Sequence, residues 1–231
     1  MKNWIYSNLL PPLLRRALTR GERRRAEIER FRALYQQFGG KGDLCFDVGA
    51  NLGNRVRCFR ALGCRVIAIE PQSFCLRALQ KEFGRDDQVK IVPVALGAAP
   101  GTAKLKTSKV HVLSTLSPSF VEKTRESGRF AAVSWSGEEE VKLTTLDALI
   151  AEHGMPRFVK IDVEGFESEV LAGLSQAVAG LSFEWTPEIP GNASACIERL
   201  GKLGSYEYNS RGVNRCAWPG RSGSHRRPCS A

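Results

Sequence analysis

The chain has 231 residues, 42% hydrophobic and 25% charged, with a formal net charge of +10; that suffices for one α/β domain with appendages. No run approaches the ~20 apolar residues of a membrane span. The charge is terminal, with ten Lys/Arg against three Glu in residues 1–41, seven against one in 199–231, and 17 against 20 acids between them, so a polyanion such as nucleic acid is not expected in a central cleft.

In chain order, strand and helix patterns alternate. Pro11-Pro12 interrupts the apolar pieces of the first 18 residues, the charges follow rather than precede them, and no small-residue cleavage site is present; no signal peptide is expected. Residues 20–38 form a charged helical pattern with Ile28, Phe31, Leu34, Tyr35 and Phe38 on one stripe, ended by Gly39-Gly40. Residues 44–48 predict a first core strand, 54–62 a helix, 65–70 a second strand, 74–83 a second helix and 89–95 a third strand. Residues 103–141 read as hairpins and loops, with Leu105, Val110, Val112 and Val133 alternating with polar residues. A short helix over 145–152 has Thr144 or Thr145 available as its cap. A fourth strand over 157–162, a helix over 167–178 and a fifth strand over 181–185 complete the pattern. Such alternation predicts a mostly parallel sheet flanked by helices, with right-handed crossovers. Ligands then bind outside the carboxyl ends of the strands, where the strand order reverses. Asp47, Glu70, Asp162 and Glu164 all fall at predicted strand ends.

The turn after the first strand narrows the ligand. In Asp47-Val48-Gly49-Ala50-Asn51-Leu52-Gly53, a dinucleotide fingerprint counted from Gly49 would need glycines at its third and sixth positions. Asn51 and Asn54 stand there instead, so the turn is not built to cradle two phosphates. Two glycines, a short polar Asn and the acidic Glu70-Pro71 at the next strand end suit a nucleoside without phosphates. S-adenosylmethionine is such a ligand. Lys160 shares a face with Asp162 on a strand covered from both sides, so its charge needs a partner. An internal ion pair and a cleft lysine that orients substrate are equal readings of it.

Seven cysteines (45, 58, 64, 75, 196, 216 and 229) make no C-x-x-C pair and are odd in number. Histidines 111, 153 and 225 lie far apart. Free thiols in a reducing, cytoplasmic compartment and no metal are expected.

Three blocks resemble the FkbM family of S-adenosylmethionine-dependent methyltransferases: Phe46-Asp47-Val48-Gly49-Ala50-Asn51-Leu52-Gly53, then Ile69-Glu70-Pro71, then Val159 through Glu167 with Val170-Leu171-Ala172-Gly173 behind it. The Thr144-Thr145-Leu146-Asp147 stretch is also similar. The resemblance spans residues 44 to about 185. It implies a class I methyltransferase, Rossmann-like fold in residues 42–209, preceded by a basic helical extension over 1–41. By position it implies a cofactor site in which Gly49 and Gly53 let backbone approach, Asn51 shapes the turn, Asp47 lies beside the amino-acid end, Glu70 accepts from the ribose hydroxyls and Asp162 sits by the methyl-donor end. The end of the third strand, around Ala95-Leu96, is the expected adenine pocket. The implied reaction is methylation of a hydroxyl on a small molecule or glycan; the alternatives are a non-catalytic relative with an incomplete sheet and, with less in their favour, a nucleic-acid methyltransferase or a NAD-dependent oxidoreductase. Asp162, Glu164 and Lys160 are the catalytic candidates, and His111 and Glu184 are further possible bases. Bland readings stand beside these: turn and helix packing for the glycines, a helix cap for Asp47, and a dipole-favoured acidic pair for Asp162 and Glu164.

The C-terminal strands expected of such a sheet are not all legible. Residues 205–209 could supply one. From Ser210 the composition turns to Arg, Gly, Ser, Pro and Cys without apolar periodicity, so residues 210–231 are expected to be a disordered basic tail. An incompletely paired fifth strand is an edge that favours self-association.

Overall fold

A computed structural model describes residues 12–209 apart from 109, 129 and 131. The tail expected over 210–231 lies outside the described residues. The chain runs through α1 (Pro12–Tyr35), β1 (Leu44–Val48), α2 (Asn54–Ala61), β2 (Arg65–Ile69), α3 (Ser73–Phe83), β3 (Val89–Val92), β4 (Ala95–Leu96) and β5 (Gly101–Thr107). A single 3₁₀ turn (His111–Leu113) then leads to α4 (Pro118–Glu126), β6 (Gly137–Thr144), α5 (Leu146–His153), β7 (Phe158–Ile161), α6 (Glu167–Ala172), β8 (Leu181–Phe183) and α7 (Pro190–Leu203).

Five strands form one all-parallel sheet in the order β3-β2-β1-β7-β8. β1 is central, and the order reverses beside it: β2 and β3 lie to one side, β7 and β8 to the other. Alternation along the strands sorts two cores. Phe46, Val48, Ile67, Ile69, Val159 and Ile161 pack with α5, α6 and α7. Cys45, Val66, Ala68 and Phe158 pack with Tyr35 of α1, Phe59 of α2 and Leu79 and Phe83 of α3. This is a parallel, Rossmann-like sheet covered by helices on both faces.

Three boundaries differ from expectation for physical reasons. The third strand is broken at Pro93, which cannot donate to a ladder. Val92 stays with β2, whereas Ala95 and Leu96 start a second, three-stranded sheet in the order β4-β6-β5. The 103–141 region holds one long antiparallel β5–β6 pair and a helix rather than hairpins and loops alone. Residues 205–209 form no strand, so among the described residues the sheet ends at β8. α7, which the sequence reading passed over, buries Cys196 and Leu200 against the sheet. The cap of α5 is Thr145, whose hydroxyl accepts from the Ala148 N–H.

Candidate active site

A cavity opens at the carboxyl ends of β1, β2 and β7. Its wall includes Gly49, Ala50, Asn51, Arg55, Glu70, Gln72, Ala95, Leu96, Lys160, Asp162 and Glu164, together with His111, Val112, Ser114 and Thr115. Sequence motifs far apart in the chain therefore meet at one place. Ala95 and Leu96 reach it because the strand break at Pro93 swings them over the sheet ends. Asp47 and Gly53 lie behind the wall rather than on it.

The turn is built by two glycines with distinct jobs. Gly49 has φ of 73°, and a Cβ there would stand 1.9 Å from the Asp162 carbonyl oxygen. Gly53 has φ of 78°, and its Cβ would fall 2.4 Å from the Phe83 ring. The two residues serve close approach of β1 to β7 and seating of α2 on α3. Asn51, at φ 49°, adopts the left-handed conformation that Asn tolerates better than most residues. Its Oδ1 accepts from the Leu52 N–H at 2.9 Å, and its Nδ2 donates to the His111 carbonyl at 3.4 Å.

Glu70 is 5% exposed. One carboxylate oxygen accepts from the Asn51 N–H and the other from the Gln72 N–H, both at 2.8 Å. A carboxylate has about four acceptor sites, so one remains on each oxygen, enough for two adjacent hydroxyl groups. Burial raises its pKa to about 6 against the pull of those two N–H donors, which leaves it ionised at neutral pH.

Lys160 answers the question its position posed. Its ammonium lies 3.1 Å from Asp47 Oδ1 and 3.4 Å from Asp162 Oδ2, and it donates to the carbonyls of Gly49 at 3.0 Å and Val48 at 3.3 Å. The parallel register sets Asp47 directly beside Lys160. Burial would lower the lysine's pKa, but Asp162 and Asp47 outweigh it and hold the ammonium charged. Asp47 is 1% exposed, and its contact with the cavity runs through this lysine.

Asp162, Glu164 and Glu184 bring one carboxylate oxygen each within 4.8 Å of one another. Burial would raise Asp162, but Lys160 and a hydrogen bond from Glu184 hold it below the usual carboxylate range. Burial and the neighbouring Asp162 push Glu164 up to about 9. Glu184, the most exposed of the three, is pushed up to about 8 by burial of its carboxyl end and by Asp162. At neutral pH one carboxylate is therefore ionised and two hold protons. A trio of this spacing also has the reach of a divalent-cation site. Glu164 has φ of 54°, a sparsely populated conformation for a non-glycine residue; its carbonyl accepts from the Thr115 hydroxyl at 2.6 Å. Glu167, by contrast, is turned inward: it accepts from the N–H groups of Val163 and Gly165 and from Asn192 of α7, capping the loop that carries Asp162 and Glu164. His111 is held below its ordinary pKa by burial, and its ring lies 5.7 Å from that of Phe74.

A family model described as the methyltransferase FkbM domain matches residues 47–203. The chain belongs to the FkbM methyltransferase-domain family. Over 159 residues it is 26% identical to the hexuronic acid methyltransferase AglP of Haloferax volcanii, an alignment covering 69% of this chain and 61% of that protein. It thus spans about three-fifths of that relative's length. Among solved structures, precorrin-6Y C5,15-methyltransferase from Geobacter metallireducens matches with a TM-score of 0.41 and 13% identity, covering 78% of this chain and 71% of that one. The FkbM match begins at Asp47 and takes in every candidate site residue named from the sequence, but not α1. Arg55 went unnamed in the sequence because a lone arginine in the first turn of a surface helix has no distinguishing pattern.

Proposed function

We propose that the protein is an S-adenosylmethionine-dependent O-methyltransferase acting on a hydroxyl of a small molecule or glycan. The observation that carries this reading is Glu70: a buried carboxylate at the second strand end, fixed by two backbone N–H groups, with one free acceptor site per oxygen for the two ribose hydroxyls. Membership in the FkbM family supports the choice of donor, and the similarity to a hexuronic acid methyltransferase supports a sugar acceptor. In this reading Gly49 and Asn51 shape the donor pocket, Gly53 and Asp47 support it from behind, and Ala95-Leu96 line the adenine end.

The donor supplies a methyl group on a sulfonium, already activated for displacement, so no metal is needed to make it leave. The protein's task is to hold the acceptor oxygen in line and take its proton. Asp162, kept ionised by Lys160, is the proton acceptor. Glu184, protonated at neutral pH, donates a hydrogen bond that spreads its charge, and Glu164, also protonated, adds no negative charge beside it. Lys160 holds Asp162 and the Gly49 carbonyl in one arrangement. A cytoplasmic location and a possible homo-oligomer belong to the same proposal; the former is supported by five free, buried cysteines and the latter by the open edge of β8. Among the described residues no helix is long and apolar enough to cross a membrane.

The test is transfer of labelled methyl from S-adenosylmethionine to a panel of neutral sugars, uronic acids and small alcohols. The expected result is label on oxygen of at least one acceptor, with Asp162→Asn lowering kcat about 10²–10⁴-fold while donor binding persists. Label transfer unaffected by Asp162→Asn would remove it as the base.

A further inference from the structure

The cavity wall carries three carboxylates, Glu70, Asp162 and Glu164, and two permanent cations, Lys160 and Arg55. The two cations are not equivalent. Lys160 is surrounded by Asp47, Asp162 and two backbone carbonyls, which occupy its three N–H groups. Arg55 has five N–H donors and, among the described residues, one acceptor: Glu27 Oε1 of α1, 3.5 Å from a terminal guanidinium nitrogen. The carbon at the centre of that guanidinium lies 3.5 Å from the centroid of the Phe31 ring, also on α1. Stacking on an aromatic face fixes the plane of an arginine and leaves its edges free to donate. Glu27 also accepts from Asn54 Nδ2 at 3.1 Å, so α1 braces the first turn of α2 at two adjacent residues. The charge of Arg55 is felt at the reactive end, where it draws down the pKa of Asp162.

We propose that Arg55, held by Phe31 and Glu27 of the N-terminal helix, recognises a carboxylate on the ligand in the cavity, which makes α1 a working part of the site although it lies outside the family domain. An incoming carboxylate meets repulsion from the ionised Glu70 and Asp162 on this wall. Arg55 is the one wall cation with donors to spare among the described residues, and a fork of N–H groups matches a carboxylate in two-point geometry. The inference rests on the methyltransferase reading, which offers two sources of this chemistry. The methionine half of the donor carries a carboxylate, and so does a uronic acid acceptor.

Calorimetry on the full chain separates these sources. S-adenosylmethionine and decarboxylated S-adenosylmethionine are titrated into the wild type, Arg55→Gln and Phe31→Leu. Glucuronate and glucose are then titrated into the same proteins saturated with S-adenosylhomocysteine. If the donor is the source, the wild type prefers the carboxylated donor by about tenfold to a hundredfold. Arg55→Gln then abolishes the preference without weakening the decarboxylated compound, and Phe31→Leu reduces it. If the acceptor is the source, the same pattern separates glucuronate from glucose. Circular dichroism confirms that the variants are folded; if Arg55→Gln is not, Phe31→Leu with its charge intact carries the test. Both preferences unchanged in the variants, in a protein that binds the donor, overturn the inference and leave the methyltransferase reading standing. A wild type that binds neither donor nor glucuronate overturns both.

Discussion

Lys160 shows how one side chain can tie a fold to a site. Three of its four close partners, Val48, Gly49 and Asp47, are on β1 or the turn after it, and the fourth, Asp162, follows its own strand. The ammonium thus joins the two central strands where their carboxyl ends form the cavity floor. Burying an ion pair need not stabilise a protein, but deleting one member leaves the other uncompensated, at a cost of about 3–5 kcal/mol. Lys160→Met is therefore expected to lower unfolding free energy by about that much, read from urea denaturation; a loss within about 0.5 kcal/mol, the range of ordinary surface changes, would show that Asp47 finds another partner. The position of Lys160 was legible from the period-2 alternation of its strand, and so was its need for a counter-charge. Its choice of two carboxylates and two carbonyls was not, because it depends on the register of β1 against β7. Arg55 marks the opposite case, since its meaning comes entirely from a helix outside the matched domain that happens to lie across it.

At the scale of elements, the strand–turn–helix units were legible because each has a strong local signal: apolar runs, glycines at turns and a carboxylate at the strand end. What escaped was set by contacts distant in sequence or by weak local cues. β5 and β6 pair residues at least thirty positions apart. α4 had a readable start, with Ser117 capping the Phe120 N–H and Pro118 in the first turn, but the surrounding alternation of β-branched residues masked it. α7 offered Pro190 at its start and Cys196, Leu200 and Leu203 at helical spacing, diluted by small and polar residues. Its role is twofold, since it closes one side of the sheet and its Asn192 holds Glu167, which shapes the Asp162–Glu164 loop. Leu200→Ala is expected to cost about 2–5 kcal/mol in chemical denaturation. A cost below about 0.5 kcal/mol would mean that this helix is not part of the core.

At the scale of the whole molecule, the acidic cluster trades stability for a charged site. Glu164 and Glu184 have folded-state pKa values of about 9 and about 8, raised from 4.5. Groups raised in this way favour the folded state while they hold their protons, and that contribution is lost as pH climbs from about 4.5 through about 9. The urea midpoint is expected to fall between pH 6 and pH 9.5, and Glu164→Gln should shrink that fall; an equal fall in the variant would mean that Glu164 is already ionised at neutral pH. The same molecule-wide arrangement gathers the ends of three strands and the second sheet around one cavity, with the N-terminal helix behind Arg55. Whether that cavity takes the methyl donor is most directly tested by titration calorimetry of the full chain with S-adenosylmethionine, S-adenosylhomocysteine and NAD, repeated on Glu70→Ala. Saturable binding of the first two and not of NAD, weakened at least tenfold by Glu70→Ala in a folded protein, is the predicted result. Binding of NAD instead, or no binding of either adenosyl compound by the folded wild type, would contradict it.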